Sequence, residues 1–119
     1  ACLSSTSAAN NIFVLWDDLD ASLGGITYLT MGTAPNRTLA IEWQVPAYTA
    51  PSSDPIEVRV YLFEGTGEIA VCYVDTTSGT VEVSGGGATT GIHGTSFDYI
   101  QNTCNGTVTA GTVVYYLPL

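Results

Sequence analysis

Two stretches of the chain alternate apolar and polar positions with a period of two. In RTLAIEWQV (37–45), Leu39, Ile41, Trp43 and Val45 fall on one side, and Thr38, Glu42 and Gln44 on the other. IEVRVYLFE (56–64) repeats the pattern, with Ile56, Val58, Val60 and Leu62 opposed to Glu57, Arg59 and Tyr61. This is the rhythm of a β-strand with one buried face. The glycines of GTG (65–67) turn the second stretch into EIAVCYVD (68–75), a clear hairpin signal.

The remaining apolar runs are shorter. IFVLW (12–16) reads as a buried strand ended by Asp17, and ITYLTM (26–31) as a strand bounded by Gly25 and Gly32. TVEVS (80–84), TTGIHG (89–94), FDYIQ (97–101) and GTVVYYLPL (111–119) complete the set. No window of helical length carries a 3.6-residue apolar rhythm. The expected fold is all-β, an antiparallel β-sandwich of about eight short strands. It forms a single domain over 12–119, preceded by a flexible leader or linker over 1–11 (ACLSSTSAANN).

Composition narrows the function classes. The 119 residues are 45% hydrophobic but only 11% charged, with a formal net charge of −9. There is no lysine, and Arg37 and Arg59 are the only strong bases. Such a chain lacks the cations needed to neutralise nucleic-acid phosphates or to dock on an anionic membrane. No apolar run reaches the roughly eighteen residues of a spanning helix. The chain begins Ala-Cys-Leu, as expected after removal of a leader or for a piece of a longer protein.

The three cysteines, Cys2, Cys72 and Cys104, include no C-x-x-C pair, which argues against zinc. An acidic, lysine-free composition rich in Thr, Ser and Gly points to an extracellular or cell-surface protein, where a disulfide persists. Cys72 and Cys104 both lie in the body of the domain and are the first expected pair, with Cys2 left over.

The fragments LWDDLD, GGITYLTMGTAPNRTLAIEWQVPAY, IEVRVYLFEGTGEIAVCYVD and GGATTGIHG together resemble a module of secreted and surface proteins of bacteria and archaea. The run is also distantly similar to the nidogen-type extracellular domain. The resemblance covers about residues 12–94. It implies a β-sandwich accessory domain found beside proteases, adhesive repeats or stalks, and it implies no catalysis. Cys72 departs from the family's polar residue and Cys104 has no counterpart there, which supports a private disulfide.

The acidic turn Asp17, Asp18, Asp20 has two readings. It can supply three or four of the six to eight oxygens that calcium takes. The EF-hand spacing fails, however, because Leu23 and Leu29 stand where glycine and glutamate are needed. In the other reading the aspartates cap backbone N–H groups at a strand end, and Gly24 and Gly25 supply positive φ for the return.

An enzyme finds little support. Asp17 and Asp18 are adjacent, so in an extended strand they point to opposite faces. His93 is the only histidine and reads as a surface-loop residue. No nucleophile elbow, phosphate loop or zinc-protease motif is present. Trp16 and Trp43 lie on the inward phase of their strands. Tyr48, in the proline-bounded loop PAYTAP (46–51), is the better exposed candidate for stacking on carbohydrate. Asn36-Arg37-Thr38 and Asn105-Gly106-Thr107 are glycosylation sequons at expected loop or strand-edge positions.

Every charged side chain lies between Asp17 and Asp98. Both uncharged ends contain strand-forming runs. Sheets ordinarily guard their edges with charge, lysine above all. Either these end strands are central and need no guard, or an edge is left open for another chain. The open reading makes Ile12, Phe13, Val14, Val113, Val114, Tyr115 and Tyr116 self-association residues. The function expected is then a non-catalytic extracellular structural module. It packs against copies of itself or neighbouring extracellular domains in a surface layer, stalk or filament. The alternative is a calcium-dependent adhesion or carbohydrate-binding module.

Overall fold

The computed structural model describes residues 2–4, 6–48, 54–78, 81–82, 87–95 and 98–118. Its strands are β1 (Asn11–Trp16), β2 (Gly25–Met31), β3 (Thr38–Val45), β4 (Ile56–Phe63), β5 (Ile69–Asp75), β6 (Thr77–Ser78), β7 (Val81–Glu82), β8 (Ala88–His93), β9 (Tyr99–Gly106) and β10 (Thr112–Tyr116). One 3-10 turn, Ala21–Leu23, joins β1 to β2. The sandwich has a five-stranded sheet, β10-β5-β4-β3-β2, and a three-stranded sheet, β1-β8-β9, with all pairings antiparallel. β6 and β7 form a separate small hairpin. The expected strand over 80–84 is described only at Val81–Glu82, and 83–86 lie outside the described residues.

The period-two pattern sets the register. Leu39, Ile41, Trp43 and Val45 pair with Leu62, Val60, Val58 and Ile56, so both apolar sets share one face. Val60 in turn pairs with Val71, Val58 with Tyr73, and Val71 with Val114. A one-residue slip would turn every one of these side chains to water. Ile56, Val58, Val60, Val71 and Tyr73 are each no more than 1% exposed. Complete burial of one such side chain contributes roughly 1.5–3 kcal/mol. At the 65–67 turn, Gly67 takes φ +71° and its N–H donates to the Phe63 carbonyl at 2.8 Å.

The expected leader is instead part of the domain. Leu3 is buried and its N–H donates to Gln101 Oε1 at 2.8 Å. Asn10 N–H donates to the Gly94 carbonyl at 2.8 Å. The segment lies across the outer face of β8, where a Cβ on Gly91 would come within 2.8 Å of Leu3 Cδ1. The apolar side chain of Leu3 and the Cys2 link hold a segment whose small polar residues read as a linker. This strap also buries His93, which is 2% exposed on β8 rather than in a surface loop.

Trp16 departs from its expected inward phase and is 43% exposed. A register shift between Phe13 and Trp16 breaks the alternation of β1, so Leu15 takes the buried position. Trp43 keeps its inward phase and packs, half-buried, against the core.

Candidate interaction edges

Among the described residues the two sheets have four edge strands: β1, β9, β10 and β2. Both uncharged terminal strands, β1 and β10, are therefore edges. The charges are distributed against the usual rule. Glu42 lies on β3, Glu57 and Arg59 on β4, and Asp75 on β5, all away from the edges. β1, β2, β9 and β10 contain no charged residue and no proline. Natural edges are ordinarily protected by such residues.

Glu42, Glu57 and Arg59 are paired with one another, and Asp75 Oδ1 accepts from the Thr77 N–H and hydroxyl at 2.9 Å. Arg59 Nε donates to Glu42 Oε2 at 2.8 Å, and its Nη2 donates to Glu57 Oε1. Arg37 forks onto Glu64 through Nε at 2.8 Å and Nη2 at 2.6 Å, while its backbone N–H also donates to Oε2 at 3.1 Å. Those hydrogen bonds hold the Glu64 carboxyl at about 2, well below the usual carboxylate range.

β2 is the barest edge. All seven of its residues are exposed, and its pairing with β3 has no register shift. Sequence reasoning places open edges only at the termini and misses this strand. The available signal was that ITYLTM is uncharged with apolar residues on both phases, unlike the two strands that follow it. Burial declines across the inner face toward β2. Ile56, Val58 and Val60 on β4 are fully covered, Leu39, Ile41 and Trp43 on β3 are half-buried, and Ile26 and Tyr28 on β2 are 53% and 79% exposed. The three-stranded sheet thus ends over β4 and β3, and β2 overhangs. An apolar cleft of about 240 Å³ opens there, between β1 and the side chains of Trp43, Ile56 and Val58.

On the terminal strands only some expected association residues are accessible. Val113 and Tyr115 point outward and are exposed, but Tyr116 is buried and Val114 packs on the core. Their inward phase in β10 removes those two side chains from any contact surface. Ile12, Phe13 and Val14 are half-buried along the cleft.

The acidic turn is built by backbone capping. Asp17 Oδ1 accepts from Asp18 N–H at 2.8 Å, and Asp20 Oδ1 accepts from Ser22 N–H at 2.9 Å at the start of the 3-10 turn. Asp18 carbonyl accepts from Tyr48 N–H at 2.9 Å, tying the turn to the 46–48 segment. Among the described residues, no three His, Cys, Asp or Glu side chains gather as a metal site. Gly24 is not in the positive-φ region: its φ is −150°. Its role is close approach, since a Cβ there would lie 2.1 Å from the Gln44 carbonyl oxygen. Gly25 is likewise absent from the positive-φ glycines.

The expected Cys72–Cys104 pair is also corrected. Cys104 is bonded to Cys2, with Cα atoms 4.9 Å apart, and Cys72 forms no disulfide. Cys72 pairs with Val113 and Arg59 on the outward face of the five-stranded sheet, whereas Cys104 is on β9 of the opposite sheet. Packed sheets lie about 10 Å apart, beyond the reach of a disulfide. Both sequon asparagines, Asn36 and Asn105, are exposed, Asn36 before β3 and Asn105 within β9. Among the described residues no helix is long and apolar enough to cross a membrane.

The model of the NIDO-related family matches residues 1–115. The chain belongs to this nidogen-related family. The match begins with the strap that the structure places inside the domain, and it extends past the fragments that carry the resemblance in the sequence. The family is of extracellular type, and the disulfide suits an oxidising location. No curated protein and no solved structure matches the chain.

Proposed function

We propose that this nidogen-related domain is a non-catalytic structural module of the cell exterior. It joins copies of itself or neighbouring domains into a surface layer, stalk or filament by adding strands at its uncharged edges. The observation that carries this reading is the charge placement: among the described residues the charges of the two main sheets sit on β3, β4 and β5, and the four edge strands of those sheets are neutral. A chain of net charge −9 brings neutral strands together with the least like-charge repulsion at those edges. Main-chain hydrogen bonds would then supply affinity, and the flanking apolar side chains specificity.

Negative-stain microscopy and sedimentation of the native material test it. Assemblies are expected, and lysine at Val113 on β10 or Leu29 on β2 should shift them toward monomers. A strict monomer at all concentrations, with no assembly in the native material, would overturn the reading.

One observation favours an adhesive role instead. Tyr48 is 70% exposed and shares a shallow cleft with Asp17 and Asp18. A sugar ring stacked on Tyr48 would place its hydroxyls near both carboxylates. Glycan-array binding that is lost in Tyr48→Ala, with and without added calcium, would establish that role.

A further inference from the structure

We propose that the overhanging β2 and the open side of β1 are two halves of one self-complementary interface, whose occupant is a second copy of this chain. The proposal rests on the self-association reading and names its geometry.

The sheets are unequal, five strands against three, and the surplus lies on the side where β1 is the edge. A two-fold axis running along the strands, between the layers, exchanges the two sheets of the two copies. The overhang of each copy then fills the vacancy of the other. The partner's β2 lies beside β1, and the partner's β3 covers the inner face of β2.

Strand direction permits this pairing. Ile12 borders a second cleft with Thr30, Leu39 and Leu62, whereas beyond the other end of β1 Leu19 is bridged to Ala47, just past the end of β3, so β1 runs in the same sense as β3. Thr30 pairs with Leu39 and Ile26 with Trp43, so β2 runs opposite to β1. Rotation about an axis along the strands preserves that sense, and β1 meets the partner's β2 antiparallel. The same symmetry sets the register, with the Asn11–Ile12 end opposite the partner's Thr30. The register shift between Phe13 and Trp16 confines regular pairing to the Asn11–Phe13 end.

A second copy fits better than simple edge-to-edge union of two β2 strands. That union would pair the edges but leave Ile26 and Tyr28 of both copies in water. The reciprocal arrangement buries them against each other, and an interface core of this kind is where truncation costs most affinity. No charged residue lies on either of the meeting strands.

The test uses the full chain in a Cys72→Ser background. Sedimentation should show a concentration-dependent dimer that strengthens with salt, as screening reduces repulsion between the acidic copies. Tyr28→Glu, at an exposed position, should weaken it by about tenfold or more while the folded circular dichroism spectrum is retained. A short bismaleimide should link chains carrying Asn11→Cys to chains carrying Thr30→Cys, and should not link Asn11→Cys to itself. Self-linking of Tyr28→Cys without the mixed link would overturn this geometry but leave the self-association reading standing. A monomer at millimolar concentration would overturn both.

Discussion

The Tyr73 hydroxyl donates to the Val14 carbonyl at 2.6 Å, bridging the five-stranded sheet to the edge strand of the other layer. The phenol is otherwise enclosed by the core and the buried Thr90, so the two sheets share a polar contact inside a largely apolar interior. Tyr73→Phe leaves the Val14 carbonyl without that donor. The expected loss is about 1–3 kcal/mol in urea unfolding, with the fold retained. Burial also raises the Tyr73 phenol well above the ordinary tyrosine value. The folded state therefore keeps a proton that the unfolded state has lost. Stability should fall as pH rises above the ordinary tyrosine range, an effect reduced in Tyr73→Phe.

The Cys2–Cys104 bond closes a loop of sequence separation 102, nearly the whole chain. Cys2→Ser should lower stability by about 2–5 kcal/mol, largely through release of the unfolded chain. Hydrogen exchange at Leu3 and Asn10 should rise in that variant as the strap loosens. Cys72→Ser should leave both measurements near their original values, because Cys72 closes no loop.

The Arg37–Glu64 fork can be followed by pH. Glu64 has its folded pKa lowered to about 2, with the Arg37 side-chain hydrogen bonds the leading cause. A lowered carboxyl value stabilises the folded state above the unfolded carboxylate pKa, and that contribution is lost as pH falls through about 2. Carbon NMR titration of the Glu64 carboxyl should show a midpoint near 2, returning toward the ordinary range in Arg37→Gln. The pair is solvent-exposed, so the change in overall stability should be small.

Gly24 tests close approach against backbone freedom. Gly24→Ala would place a Cβ within 2.1 Å of the Gln44 carbonyl oxygen, against main chain that is part of β3. The expected cost is about 1–3 kcal/mol in thermal or urea unfolding. Gly25→Ala, where no atom lies within 4 Å of the added carbon, should cost much less.

Much of the five-stranded sheet is legible in the sequence because its inner strands obey strict alternation. Ile56, Val58 and Val60 read as inward and are fully buried, and the 65–67 turn joins β4 to β5 as expected. Trp16 fails that logic because a register shift is a property of the pairing with β8, which no local pattern encodes. His93 reads as a loop residue because the strap that covers it, placed by the buried Leu3 and by the Ala8 carbonyl at His93 Nδ1, is written in small polar residues that carry no strand or core signal. β9 extends through NTCNG, whose polar residues look like a loop until β8 pairs with them. The neutral termini were visible as a charge pattern, but edge status belongs to sheet order.

By itself the sequence determined the all-β class, the inward face of β3 and β4, and the absence of charge from both ends, because period and composition are local. Only the tertiary structure decided that Cys104 bonds to Cys2, that β2 overhangs a shorter opposing sheet, and that all four edges are neutral. Those outcomes depend on which strands become neighbours, and neighbour choice is set by long-range pairing that local residue patterns do not specify.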